Sequence, residues 1–176
     1  MIFTQCIFAG RYNHIFFQMG QTIKKDDGGY FDMVNNDTIY LLRECDSGSK
    51  MAVSAINEMY DKADSPSLKE LMTESREHHE KLGNEIHSRL VECGSDEKDP
   101  NVMAKGMSWM KTNMKMTMDD SDATIADLLT DGCNMGIKSL NRYQNQYKAA
   151  DAMSKDICKR LVSIEEELRQ DLRPYL

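Results

Sequence analysis

Between Thr73 and His87 the chain reads TESREHHEKLGNEIH, and three of its four histidines fall there beside Glu74, Glu77, Glu80 and Glu85. Carboxylates and imidazoles on one bundle helix are the raw material of a metal site for iron, manganese or zinc. Which of them do that chemistry depends on the face each occupies. His79 continues a stripe made by Leu68, Met72, Ser75, Leu82 and Ile86, the spacing of residues on one side of a helix. His78 falls at the edge of that stripe, Glu77 points away, and Glu74 and Glu80 flank the far side. Hydrogen bonds to Ser75, Ser49 or Tyr143 would satisfy a neutral core histidine. That reading outweighs metal ligation, because a buried polar group needs partners but not a metal. Glu77 with Lys81, and Glu85 with Arg89, have the spacing of helix-surface ion pairs.

Other residues invite chemistry less strongly. Met103, Met107, Met110 and Met114 share one helical face. Such a face packs an amphipathic helix, or supplies soft ligands for Cu(I) with Met107 and Met110 central, and packing is the favoured reading. Cys6, Cys45, Cys93, Cys133 and Cys158 form no CxxC pair; scattered thiols on helical patterns read as unreactive core or boundary residues in a reducing compartment. Gly132, Gly136 and Ser139, like Gly48, Ser49 and Ala52, make thin places on two helices. Close helix approach is the plain explanation, and a cavity for a small ligand is the alternative. No P-loop, dinucleotide fingerprint, nucleophile elbow or HExxH is present.

The elements that must position these residues read as four long helices. The first runs from a cap at Asp37 to about Lys62, with Leu42, Cys45, Ser49, Ala52, Ile56 and Met59 inward. Asp64-Ser65-Pro66 breaks it and starts the second, about 67–92, which Gly94 stops. A polar loop and a short Met-rich helix over 101–118 follow. Ser121 or Asp122 caps the third helix, to about Ala150, with Ile125, Leu129, Gly132, Gly136, Ser139, Tyr143 and Tyr147 inward. The fourth spans about 152–171, with Ile157, Leu161, Ile164, Leu168 and Leu172 inward and Glu165, Glu166 and Glu167 off the seam. Each apolar seam must be buried, so the helices pack as a bundle of two antiparallel hairpins. A thin internal repeat, LLRECDSGSKMA from Leu41 against LLTDGCNMGIKS from Leu128, agrees with two related hairpins and matches Glu44 with Asp131.

A formal net charge of -7 disfavours nucleic-acid binding, and no run is long and apolar enough for a membrane span. Residues 1–32 differ from the rest. Ile2 to Met19 is apolar and aromatic without a helical or alternating period, and it lacks the basic start and small-residue cleavage site of a signal peptide. Gly28-Gly29-Tyr30 before Met33 can be encoded by a bacterial ribosome-binding sequence. The expectation is that 1–32 is an N-terminal extension outside the fold, with translation starting at Met33 and a bundle over 33–176. A hydrophobic arm covering a partner is the competing reading.

Two hairpins joined through a long crossover, with GMSWMKTNMKMTMDDSDATIADLL from Gly106 to Leu129, resemble the ferritin-like superfamily. More narrowly, the chain is similar to a bacterial four-helix-bundle family of unknown function. The resemblance implies an all-α ferritin-like four-helix bundle in which the crossover contains the Met-rich helix. Iron-binding members carry a Glu on each of two helices and Glu-x-x-His on each of the other two. Glu44 and Asp131 stand where the single carboxylates would be, and His79 and His78 where a histidine would be. The residues three before these histidines are Ser75 and Arg76, and the matching stretch of helix four has no histidine. The expected function is therefore a non-catalytic bundle of a bacterial cytoplasm, acting through self-association or a protein partner, with a stress or spore-associated role implied by resemblance alone. The alternative is an atypical metal-binding protein with His79, His78, Glu44 and Asp131 as ligands for iron, manganese or zinc.

Overall fold

The computed structural model describes residues 21–25, 31–95 and 121–176. Two short strands, β1 (Gln21–Lys25) and β2 (Phe31–Asn35), pair antiparallel, with Ile23 opposite Met33. β2 leads directly into an all-helical bundle of four long helices: α1 (Asn36–Tyr60), α2 (Pro66–Glu92), α3 (Asp122–Gln146) and α4 (Ala152–Asp171). A 3-10 turn, Arg173–Tyr175, takes up the last proline. The stretch 101–118 read as a Met-rich helix, and Cys6, lie outside the described residues.

Each helix begins where a side-chain oxygen can take an orphan backbone N–H. Asn35 accepts from the Asp37 amide, Ser65 from Leu68, Ser121 from Thr124 and Asp151 from Ser154. Pro66 occupies the first position of α2, where no N–H is required. Gly94, at φ 70°, ends α2 and lets the Ser95 amide return to the Leu90 carbonyl at 2.9 Å, a backbone shape a side chain would resist.

Two boundaries differ from the sequence expectation for one reason. Asp37 does not cap α1; its carboxylate accepts from the Ala149 amide at 2.9 Å. Thr38 Oγ1 accepts from the Asp151 amide, also at 2.9 Å. These two bonds draw residues 147–151 into a turn, so α3 ends at Gln146 rather than near Ala150. One surface pair also differs. Instead of bonding each other, Glu85 bonds Arg160 of α4, and Arg89 bonds Asp151 at the start of α4 and Glu92 on its own helix.

The same contacts set the helix directions. The start of α1 meets the α3–α4 turn. At the opposite end, the Asp64 and Ser65 amides donate to the Asp122 carboxylate at 2.8 and 3.0 Å, holding the start of α3 against the α1–α2 turn. Arg89 near the end of α2 pairs with Asp151 at 2.9 Å. Hence α1 and α4 run one way and α2 and α3 the other. α1 and α4 approach closely where Gly48 faces Leu161.

The buried side chains form two apolar clusters, one toward each end. Leu42, Leu82, Ile86, Ile157 and Leu161 belong to the first. Ile56, Leu68, Met72, Leu129 and Leu168 belong to the second. Each such side chain contributes about 1.5–3 kcal/mol of transfer free energy, so the two clusters carry the fold. Among the described residues no helix is long and apolar enough to cross a membrane.

Candidate functional site

A polar layer separates the two apolar clusters. On α2 it holds Ser75 and His79, on α1 Ser49, and on α4 Glu165. All four are buried, and His79 is 0% exposed. Regular packing places them: His79 lies between Met72 and Leu82 on the α2 seam, and Glu165 between Leu161 and Leu168 on α4.

The hydrogen bonds hold His79 in one orientation. Its Nδ1 donates to the Ser75 carbonyl at 2.8 Å, and since a carbonyl can only accept, Nδ1 carries the hydrogen. The Ser49 hydroxyl donates to the His79 carbonyl at 2.7 Å, tying α1 to α2 at the same level. The other ring nitrogen, Nε2, makes no hydrogen bond of ordinary length. It faces Glu165 Oε1 at 3.5 Å. Ser75 and Ser49 are thus neighbours of His79 as the sequence suggested, but the group opposite its inward nitrogen is Glu165.

Glu165 is the main correction to the sequence reading. It was placed off the seam with Glu166 and Glu167; those two are exposed, whereas Glu165 is only 6% exposed. The space for it comes from α3. A Cβ on Gly136 would lie 3.0 Å from Glu165 Oε1 and 3.2 Å from its Cδ. Glycine there lets the carboxyl group pass close to the α3 backbone. Cys133, one turn earlier, completes the layer. Burial, and then the adjacent Glu165 carboxylate, push its thiol far above the ordinary value, so it remains protonated and inert as a nucleophile.

On the α1–α3 side of Glu165 lies a cavity of about 370 Å³. Of the thin residues found in the sequence, Gly48 and Ala52 on α1 and Gly132, Gly136 and Ser139 on α3 line it, while Ser49 turns to α2. A Cβ on Gly132 would meet nothing within 4 Å. Gly132 therefore borders open space, as the small-ligand alternative requires, whereas Gly48 and Gly136 face Leu161 and Glu165 of α4 and fit close helix approach. Met51, Met59, Leu128 and Leu168 add apolar wall; Glu44 and Glu165 are the charged residues of the lining. This also explains the third-helix seam. Ile125, Ala126, Leu129, Cys133 and Leu140 are its buried members, while Gly136 and Ser139 are partly exposed toward the cavity.

The residues proposed as metal ligands do not come together. His78 and Asp131 are exposed, Glu44 is partly buried at the cavity wall, and His79 faces Glu165. Among the described residues no three His, Cys, Asp or Glu side chains are grouped so as to hold a metal ion. This donor set does not fit a dinuclear centre, which needs carboxylates from several helices around two histidines. No family model, no curated protein and no solved structure matches the chain.

Proposed function

We propose that this chain is a non-catalytic ferritin-like bundle that acts by binding, with the α1–α3 cavity as its binding face. The helix directions support the ferritin-like reading. α2 ends and α3 begins at opposite ends of the bundle, an arrangement in keeping with two hairpins of a ferritin-like bundle. The observation that carries the functional reading is the His79–Glu165 pair beside an apolar cavity. The bundle centre has one histidine facing one carboxylate. Among the described residues Cys45, Cys93, Cys133 and Cys158 form no disulfide, which suits the reducing compartment expected for it.

Metal analysis of protein purified without chelator tests this reading against the metal-binding alternative. The expected result is no stoichiometric iron, manganese or zinc, in the wild type and in His79→Ala alike. Stoichiometric metal that disappears in His79→Ala would overturn it.

A further inference from the structure

We infer that the α1–α3 cavity binds a small apolar primary amine, its hydrocarbon body against the methionine and leucine walls and its ammonium group against Glu165 and Glu44. This rests on the reading of the bundle as a binding protein and specifies the ligand.

Size, wall chemistry and charge all point the same way. The volume of about 370 Å³ lies in the range of small-molecule sites, roughly 300–1,000 Å³, and is too small for a partner helix. The walls are mostly apolar, with Met51, Ile56, Met59 and Leu168 giving an adaptable surface. The charged lining residues are both carboxylates, and no lysine, arginine or histidine is among the described residues that line the cavity. One of the two, Glu165, is 6% exposed and held from behind by α3 and His79. A carboxylate at the base of an apolar pocket repels an acid, accepts one hydrogen bond from an alcohol, and forms a charge-assisted bond with an ammonium group.

A series with one hydrocarbon chain and three head groups tests the assignment. Octylamine, octanol and octanoate are titrated into protein carrying 13C-methyl methionine, followed by NMR. Octylamine should bind at least about tenfold more tightly than octanol, with octanoate weakest. The Met51, Met59 and Met135 methyl signals should move, and that of Met153, exposed on α4 away from the cavity, should stay. Gly132→Leu, which grows into open space, should abolish binding of all three while the protein stays folded. Glu165→Gln should bring amine and alcohol affinities together. Glu44→Gln, a change on the partly exposed wall, should weaken the amine alone and covers the case in which the buried variant does not fold. Octanol or octanoate binding as tightly as octylamine, amine affinity unaffected by Gly132→Leu, or no binding by any of the three overturns the assignment. Failure here with no bound metal leaves the binding reading standing; stoichiometric metal on His79 defeats that reading whatever the amine does.

Discussion

Nε2 of His79 faces Oε1 of Glu165 across 3.5 Å in the centre of the bundle. Because Nδ1 must donate to Ser75, Nε2 is the ring atom left toward α4, and removing either group leaves the other buried without its neighbour. The pair is therefore a unit that tolerates the loss of both members better than the loss of one.

His79→Leu should leave Glu165 buried without its partner and cost about 3–5 kcal/mol, and Glu165→Leu should be destabilising by a comparable route. The double variant His79→Leu/Glu165→Leu should recover at least about 1 kcal/mol relative to the sum of the singles, since two apolar side chains then pack between two apolar clusters. Urea unfolding of the four proteins measures the coupling; strict additivity would remove it.

Gly132 and Gly136 share one helix and one cavity, yet alanine should act differently at each. In a helix interior the change from glycine to alanine stabilises by about 0.5–1 kcal/mol. Gly132→Ala should show that full gain, because its Cβ meets nothing within 4 Å. At Gly136 the Cβ would press on Glu165 Oε1 at 3.0 Å and Cδ at 3.2 Å. The carboxyl group is pinned by its burial, so Gly136→Ala should lose most of the gain or become destabilising. Thermal melts of the two variants decide the order.

The contrast between these residues shows what could be read in advance. His79 was placed correctly because Leu68, Met72, Leu82 and Ile86 leave it on the seam in steps of three and four. The breaks at Ser65-Pro66 and Ser121 were legible because caps are short-range chemistry. Glu165 was missed although it lies four residues after Leu161 and three before Leu168, a seam position. Two more glutamates follow it, and such a triplet resembles a solvated face. What permits its burial is Gly136 on another helix together with His79 on a third, and a tertiary coincidence of that kind leaves no periodic trace. The cavity was visible as small residues at helical spacing, but whether a neighbour fills such a gap depends on packing between helices.

Acid should weaken the joint between α2 and α4 through Asp151. Burial alone would raise its pKa, but bonds from the Ser154 amide and from Arg89 outweigh that and hold it below the ordinary value. A carboxylate whose folded pKa is depressed stabilises the fold above its unfolded pKa and loses that contribution as pH falls through the folded one. Asp151→Asn should therefore lower stability at pH 7 by about 1 kcal/mol. The difference from wild type should shrink toward zero as the pH falls through the depressed native pKa and the carboxylate is protonated. Unfolding midpoints across pH measure this; a gap that stays constant over that fall would show that the charge of Asp151 is not involved.

The buried thiols should behave as packing groups. Cys133 is pushed up first by burial and then by Glu165. Cys45 is raised well above its ordinary value, first by its hydrogen bond with Cys158 and then by burial. Alkylation needs a thiolate that reagent can reach, and Cys45, Cys93, Cys133 and Cys158 are all at most 2% exposed. Native protein treated with iodoacetamide at pH 8 and mapped by mass spectrometry should be unmodified at these four positions, and all four should label once the bundle is unfolded in urea. A conservative filling change tests the same packing from the other side. Cys133→Val brings a branched side chain toward Glu165 and should disturb the polar layer, whereas Cys133→Ala should cost about 1–2 kcal/mol through a small void. Rapid native labelling at Cys133 would mean that the layer opens far more readily than its burial implies.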